Sequence, residues 1–174
     1  MSAITYRQAG PDDAARLAEL GRRTFIDTFG HLYAPEDLAA FLEVHSAESW
    51  REQLGDGTLS TCLAEADGAA VAYAKVGPPS LPFQPRGPSV ELRQLYVLKQ
   101  WHGAGVAAAL MDWAIAEART RGGEDLYLSV FIDNHRARRF YERYGFEEVG
   151  LYPFKVGNHY DDDRIMRLSL KDRT

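Results

Sequence analysis

A chain of 174 residues with 45% apolar side chains is long enough to bury one substantial core. Its 20 basic side chains against 25 acidic ones leave a net charge of −5, which argues against a nucleic-acid binder that works by blanket phosphate neutralisation. One cysteine excludes a disulfide framework and a cysteine zinc site; with no apolar run of membrane-spanning length and no leader pattern, a cytoplasmic protein of one domain over residues 1–174 is expected, with no nucleic-acid or membrane partner.

Residues 4–8 alternate weakly and read as a first strand. Pro11-Asp12-Asp13 supplies turn and cap chemistry for a helix carrying Leu17, Leu20, Thr24, Phe25 and Phe29 at helical spacing. Ala34-Pro35-Glu36-Asp37 opens a second helix, with proline in its first turn and acids at the positive end of its dipole. Ser46 caps a third, which Gly55-Asp56-Gly57 ends. Strands over 58–66 and 69–76 flank the hairpin signal Asp67-Gly68. Prolines at 78, 79, 82, 85 and 88 exclude a helix or a central strand there and predict a surface loop. A fourth strand (90–97), a long helix (103–121) and an apolar strand (126–131) follow. A short helix (134–144), with Asn134 at its N-cap and Gly145 just past its end, precedes two last strands (147–154 and 165–170). This order predicts a mixed α/β sheet with helices on both faces.

The turn before the long helix carries the most chemistry. Gln100-Trp101-His102-Gly103-Ala104-Gly105-Val106 strips side chains from the backbone where a strand hands over to a helix. The first amides of that helix then face outward at the positive end of its dipole, which suits a pyrophosphate. Gly103 to Ala108 also spells the dinucleotide fingerprint G-x-G-x-x-A, with Asp133 at the end of the next strand. Three features count against a dinucleotide: the gap from Leu98 to His102 after the strand, the long stretch of chain before the motif, and the shortness of the chain after it.

The downstream segment Asn134-His135-Arg136-Ala137-Arg138-Arg139-Phe140-Tyr141-Glu142-Arg143-Tyr144-Gly145-Phe146, taken with the Gln100–Gly105 turn, closely resembles the GNAT N-acetyltransferase superfamily. Phe25-Ile26-Asp27-Thr28-Phe29, Ala34 to Leu38, and Phe154-Lys155-Val156-Gly157 with Asp163 are similar to the branch of PaiA-type polyamine acetyltransferases. The resemblance implies a mostly antiparallel twisted sheet, splayed between strands 4 and 5. It implies acetyl-CoA as cosubstrate, no metal, and a homodimer through the final strand. By the same resemblance, Leu95, Tyr96 and Val97 offer backbone groups to the pantetheine arm. Gln100 and the backbone of His102, Gly103, Ala104, Gly105, Val106 and Ala107 cradle the pyrophosphate. Asn134 contacts the cofactor arm besides capping its helix, and Arg143, with Arg138 or Arg139, meets the 3′-phosphate or forms a solvated basic face.

Expulsion of a thiolate calls for an acid, and Tyr141 is the candidate: a phenol with a pKa near ~10 is protonated at neutral pH. The attacking alkylammonium must first lose a proton. Glu91 on the fourth strand is the candidate base, directly or through water, against a reading as a surface carboxylate. Asp27, Glu36, Asp37 and Glu43, with His31 and Tyr33, are candidates for reading the acceptor. Asp161-Asp162-Asp163 reads as a solvated turn, since no calcium-loop spacing follows. The histidines show no zinc spacing, and Cys62 reads as a buried small hydrophobe. The expected function is direct acetyl transfer to a primary amine, a small polyamine or diamine foremost. An amino acid, an antibiotic amine or a protein N-terminus are alternatives within the class. A non-catalytic acyl-CoA sensor and a dinucleotide-binding domain are alternatives outside it.

Overall fold

A computed structural model describes residues 3–43 and 45–171. The strands β1 (Ile4–Gln8), β2 (Ser60–Ala66), β3 (Ala69–Gly77), β4 (Ser89–Val97), β5 (Asp125–Phe131), β6 (Glu147–Val156) and β7 (His159–Ser169) form one seven-stranded sheet in the order β1-β2-β3-β4-β5-β7-β6. Every neighbouring pair is antiparallel except β4 and β5, which run parallel. Their pairing covers only Ser89–Glu91 against Asp125–Tyr127, after which the two strands part. The edge of β4 from Leu92 onward is therefore paired to β3 alone, and a wedge opens in the middle of the sheet.

The helices are α1 (Ala14–Phe29), α2 (Pro35–Glu43), α3 (Ala47–Leu54), α4 (Val106–Thr120) and α5 (His135–Tyr144). The α4 helix turns Val106, Leu110, Met111, Ala114, Ile115 and Ala118 inward at three- and four-residue spacing and packs on β3 and β4. The α1 helix packs on α3, β3 and β4. Its start is tied to the sheet by Asp13, whose carboxylate accepts from Arg7 (2.7 and 2.9 Å) and Arg16 (3.4 Å), and the Arg7 guanidinium holds the Asp13 pKa down to about 2. A second apolar cluster joins Phe25, Tyr33, Leu42 and Val156, so α1 and α2 meet the β6–β7 hairpin. The tip of that hairpin lies on α2: the Asn158 amide donates to Asp37 at 2.9 Å, and a Cβ on Gly157 would stand 2.5 Å from the Asp37 backbone.

Three element starts differ by two residues or more from those expected. The long helix begins at Val106, because Gly105 adopts φ +82° and only then does the Ala109 amide close the first helical bond, onto the Gly105 carbonyl (3.1 Å). Thr58 is held in a turn by Asp56, so β2 starts at Ser60. The largest difference is in β7, which starts at His159 rather than at 165. Asp161, Asp162 and Asp163 are not a solvated turn. They are strand residues paired with Phe154, Pro153 and Tyr152 of β6, and Asp163 also pairs with Phe131 of β5. Aspartate is a poor strand former, but pairing on both sides overrides local preference. Strand alternation buries Asp161 and Asp163 and leaves Asp162 outside, where Arg164 pairs with it (3.1 Å).

Candidate active site

The wedge between β4 and β5 is the waist of a cavity of about 790 Å³. Its lining comes from two sets of elements, a first side from the turn before α4 and from α5, and a second from α1, α2 and the β6–β7 hairpin. Ligand sites of this size, apolar with a few convergent polar groups, are typical of small-molecule enzymes.

On the first side, Gly103 (φ +80°) and Gly105 (φ +82°) both take the left-handed backbone that favours glycine, and a Cβ at either would point into open space. The amides of Val106, Ala107 and Ala108 precede the first helical bond, so they have no partner within α4 and stand at its positive end. These features fit a pyrophosphate: donors in a row, a bare backbone to approach, and the exposed guanidiniums of Arg136, Arg139 and Arg143 lining the same cavity. The unpaired edge of β4 fits the extended amide arm of a pantetheine, which can add to a sheet edge as another strand would.

Among the expected site residues, Leu95, Tyr96, Val97, His102, Gly103, Gly105, Ala107, Asn134, Tyr141 and Arg143 all line this cavity. The Asn134 side chain accepts from the Ala137 amide at 3.3 Å as a helix cap, and the His102 ring lies 3.0 Å from the Val97 carbonyl. Ala104 and Val106 do not line the cavity; the Val106 side chain is fully buried, so only its amide is available. Gln100 sits exposed in the short 3₁₀ turn Lys99–Trp101 and does not line the cavity either. Arg138 is taken up by the Ile132 carbonyl (3.1 Å) and Glu148 (3.4 Å).

Tyr141 lines the cavity, buried edge-on between Phe140 and Phe146 with ring centroids 5.6 and 5.7 Å away. Burial pushes its phenol pKa up to about 12, which keeps the proton on at any physiological pH. Tyr144 instead ties α5 to α4 through Asp112 (3.1 Å) and the Ala108 carbonyl (3.2 Å).

Glu91 does not reach the cavity. It is buried under the proline-rich loop, where its carboxylate accepts from the Ser80 amide (2.6 Å) and hydroxyl (2.8 Å). Nor do the early helices supply an acidic mouth: Asp27, Glu36 and Glu43 are exposed and do not line the cavity, Asp37 holds the hairpin tip, and His31 is exposed outside it. Tyr33 does line it, stacked on Phe25 at 5.8 Å and donating to Asp161. The carboxylates at this end are Asp161 and Asp163, set among Phe25, Phe29, Phe41 and Phe154. His45 also lines it and is held neutral, its pKa pushed down to about 4 by burial. Cys62 lies in β2 away from the cavity, with burial pushing its thiol up to about 11, so no nucleophilic thiolate is available there. Among the described residues, no three side chains of His, Cys, Asp or Glu stand together as a metal site.

A sheet splayed at one parallel pair, with a glycine turn and a helix start at the gap, is the architecture of an N-acetyltransferase. The chain belongs to the GNAT acetyltransferase family, whose model matches residues 24–146. It is 36% identical over 155 residues to an uncharacterised N-acetyltransferase of Mycobacterium tuberculosis, covering 88% of this chain and 96% of that one. It is 31% identical over 121 residues to the L-amino acid N-acetyltransferase AaaT of Escherichia coli, covering 67% and 73%. The PaiA N-acetyltransferase of Thermoplasma acidophilum, solved in complex with coenzyme A, shares the fold with a TM-score of 0.78 at 19% identity, over 96% of this chain and 99% of that one.

Proposed function

We propose that this N-acetyltransferase uses acetyl-CoA to acetylate a small primary amine carrying further cationic nitrogens, a diamine or a polyamine. One observation carries the acceptor class: two buried carboxylates, Asp161 and Asp163, at the end of the cavity opposite the glycine turn, inside a wall of aromatic rings. Carboxylates pair with ammonium groups and aromatic faces attract them, and both effects strengthen where water is excluded. The same carboxylates disfavour an amino acid, whose own carboxylate would be repelled there. The coenzyme A in the PaiA structure of like fold supports the donor half of the reading.

Acetyl-CoA, when bound, supplies a thioester whose carbonyl carbon is open to attack. The chain's own groups do the rest. The backbone of Gly103 to Ala107 and the basic rim hold the donor's phosphates, and the open β4 edge aligns its arm. An amide on that edge donates to the carbonyl oxygen as negative charge develops on it. The Tyr141 hydroxyl gives its proton to the departing sulfur.

A panel of spermidine, putrescine, L-amino acids and an aminoglycoside, offered with acetyl-CoA and followed by thiol release, tests this reading. Spermidine or putrescine is expected to exceed every amino acid in kcat/KM by at least about tenfold, the discrimination that ~1.4 kcal/mol of added charge pairing gives. A preferred amino acid would overturn the acceptor class.

A further inference from the structure

We propose that Asp163, on the paired interior of β7, is the group that takes the proton from the acceptor ammonium, with Asp161 the fixed anion that keeps the amine beside it. The inference rests on the amine acetylation proposed above and names its base.

The two carboxylates stand side by side on one strand but in different settings. Asp161 is occupied: the Tyr33 hydroxyl donates to one oxygen, and the His159 ring lies 3.1 Å from the other. Asp163 is 8% exposed, lines the cavity, and has an Oδ1 that is fully buried and without a hydrogen-bond partner. A buried carboxylate oxygen left unpaired is costly, and on a residue that lines the cavity it favours a bound donor beside that residue. An ammonium group supplies three. The β4–β5 wedge puts Asp163 in the same cavity as Tyr141, so one amine can face a base on the acceptor side and the thioester on the other.

The ionisable groups around Asp163 favour this role. Its own strand contributes Asp161 and Asp162, Tyr33 comes from the turn before α2, Tyr96 from β4 and Tyr152 from β6; its β5 neighbour Phe131 is apolar. Cations of these elements are engaged elsewhere: the His159 ring lies at Asp161, Arg164 pairs with Asp162 and Arg93 donates to the Pro78 carbonyl. Burial first, then the two neighbouring aspartates, pushes its pKa up to about 7, where a base works best at neutral pH. Glu91, engaged by Ser80 outside the cavity, has no such access.

The proton count closes. Asp163 takes one proton from R–NH₃⁺ and releases it to water. The amine nitrogen bonds to the acyl carbon and the C–S bond breaks. The sulfur takes the Tyr141 proton, and the second nitrogen proton returns to the Tyr141 phenolate. One amide, one thiol and one free proton result.

The test is Asp163→Asn, assayed with spermidine and saturating acetyl-CoA from pH 5.5 to 9, beside Glu91→Gln. Parent kcat/KM is expected to rise tenfold per pH unit below a break near 7 and then level. In D163N it is expected to fall about 100-fold at pH 7.5 and to climb across the whole range without levelling, because only amine that is already neutral reacts. Coenzyme A affinity by calorimetry should be unchanged. The thermal midpoint of D163N at pH 8 should be no lower than the parent's, because a carboxylate with a raised pKa destabilises the fold once ionised. A D163N enzyme that keeps the parent's rate and its break, or a break lost in E91Q instead, would overturn the assignment alone. A parent that binds coenzyme A but turns over no amine of the panel would overturn the acceptor reading, and the assignment with it.

Discussion

Replacing Tyr141 with phenylalanine is expected to lower kcat by about 100-fold or more while leaving the KM for acetyl-CoA and the thermal midpoint near their parent values. Only one oxygen is removed. The ring keeps its edge contacts with Phe140 and Phe146, so the packing of α5 against the sheet survives and the donor still binds. What is lost is a proton at the sulfur. Positioned acids contribute roughly 10²- to 10⁴-fold, and with its pKa pushed up to about 12 this phenol holds its proton throughout the working range. Steady-state kinetics with thiol detection separates the two effects: a fall in kcat alone assigns the oxygen to the chemical step. A variant with parental kcat would show that the departing thiolate is protonated by water, and Tyr141 would then be a packing residue.

Gly105→Val is expected to weaken coenzyme A binding by about 100-fold or more, read by calorimetry, with the sheet intact. Two effects act in the same direction. At φ +82° a β-branched residue is strained by at least about 1–2 kcal/mol, so the turn relaxes and the amides that follow it move. The isopropyl group also projects into the space left open before α4, where a phosphate would approach. Hydrogen bonds to charged groups are worth about 1.5–3 kcal/mol each, so losing two of them corresponds to at least about 3 kcal/mol, or about 100-fold in Kd. Because a Cβ at this position meets no atom beyond its chain neighbours within 4 Å, the loss is expected from the strained turn and the filled approach rather than from a displaced core. An unchanged Kd would place the phosphates elsewhere.

The proposed donor half of this site is readable in the sequence because it is local. Gly103 and Gly105, the strand before them and the helix after them are contiguous in the chain, and backbone amides at a helix start need no distant partner. Asn134 and Gly145 bracket α5 in the same way, which placed Tyr141 on a helix, though not its depth. The acceptor half is assembled from afar: Phe25 and Tyr33 from the region of α1, Phe41 from α2, Phe154 from β6, and Asp161 and Asp163 from β7. Three consecutive aspartates look like a turn because strand propensity disfavours them. Only pairing with β5 and β6 reveals that two of the three point inward. Glu91 shows the converse. Its position on the fourth strand suggested a base, but Ser80, eleven residues upstream in a loop with no regular pattern, captures its carboxylate.

The most direct test of the central claim, that one cavity joins a coenzyme A cradle to an acidic, aromatic amine pocket, is a crystal structure with a bisubstrate conjugate in which spermidine is linked through an acetyl bridge to the sulfur of coenzyme A. The predicted result has the pyrophosphate on the amides of Gly103 to Ala107, the sulfur beside the Tyr141 hydroxyl, and the polyamine arm running past Tyr96 to Asp163 and Asp161. A conjugate whose polyamine arm leaves the cavity on the solvent side, or whose pyrophosphate lies away from the glycine turn, would contradict it.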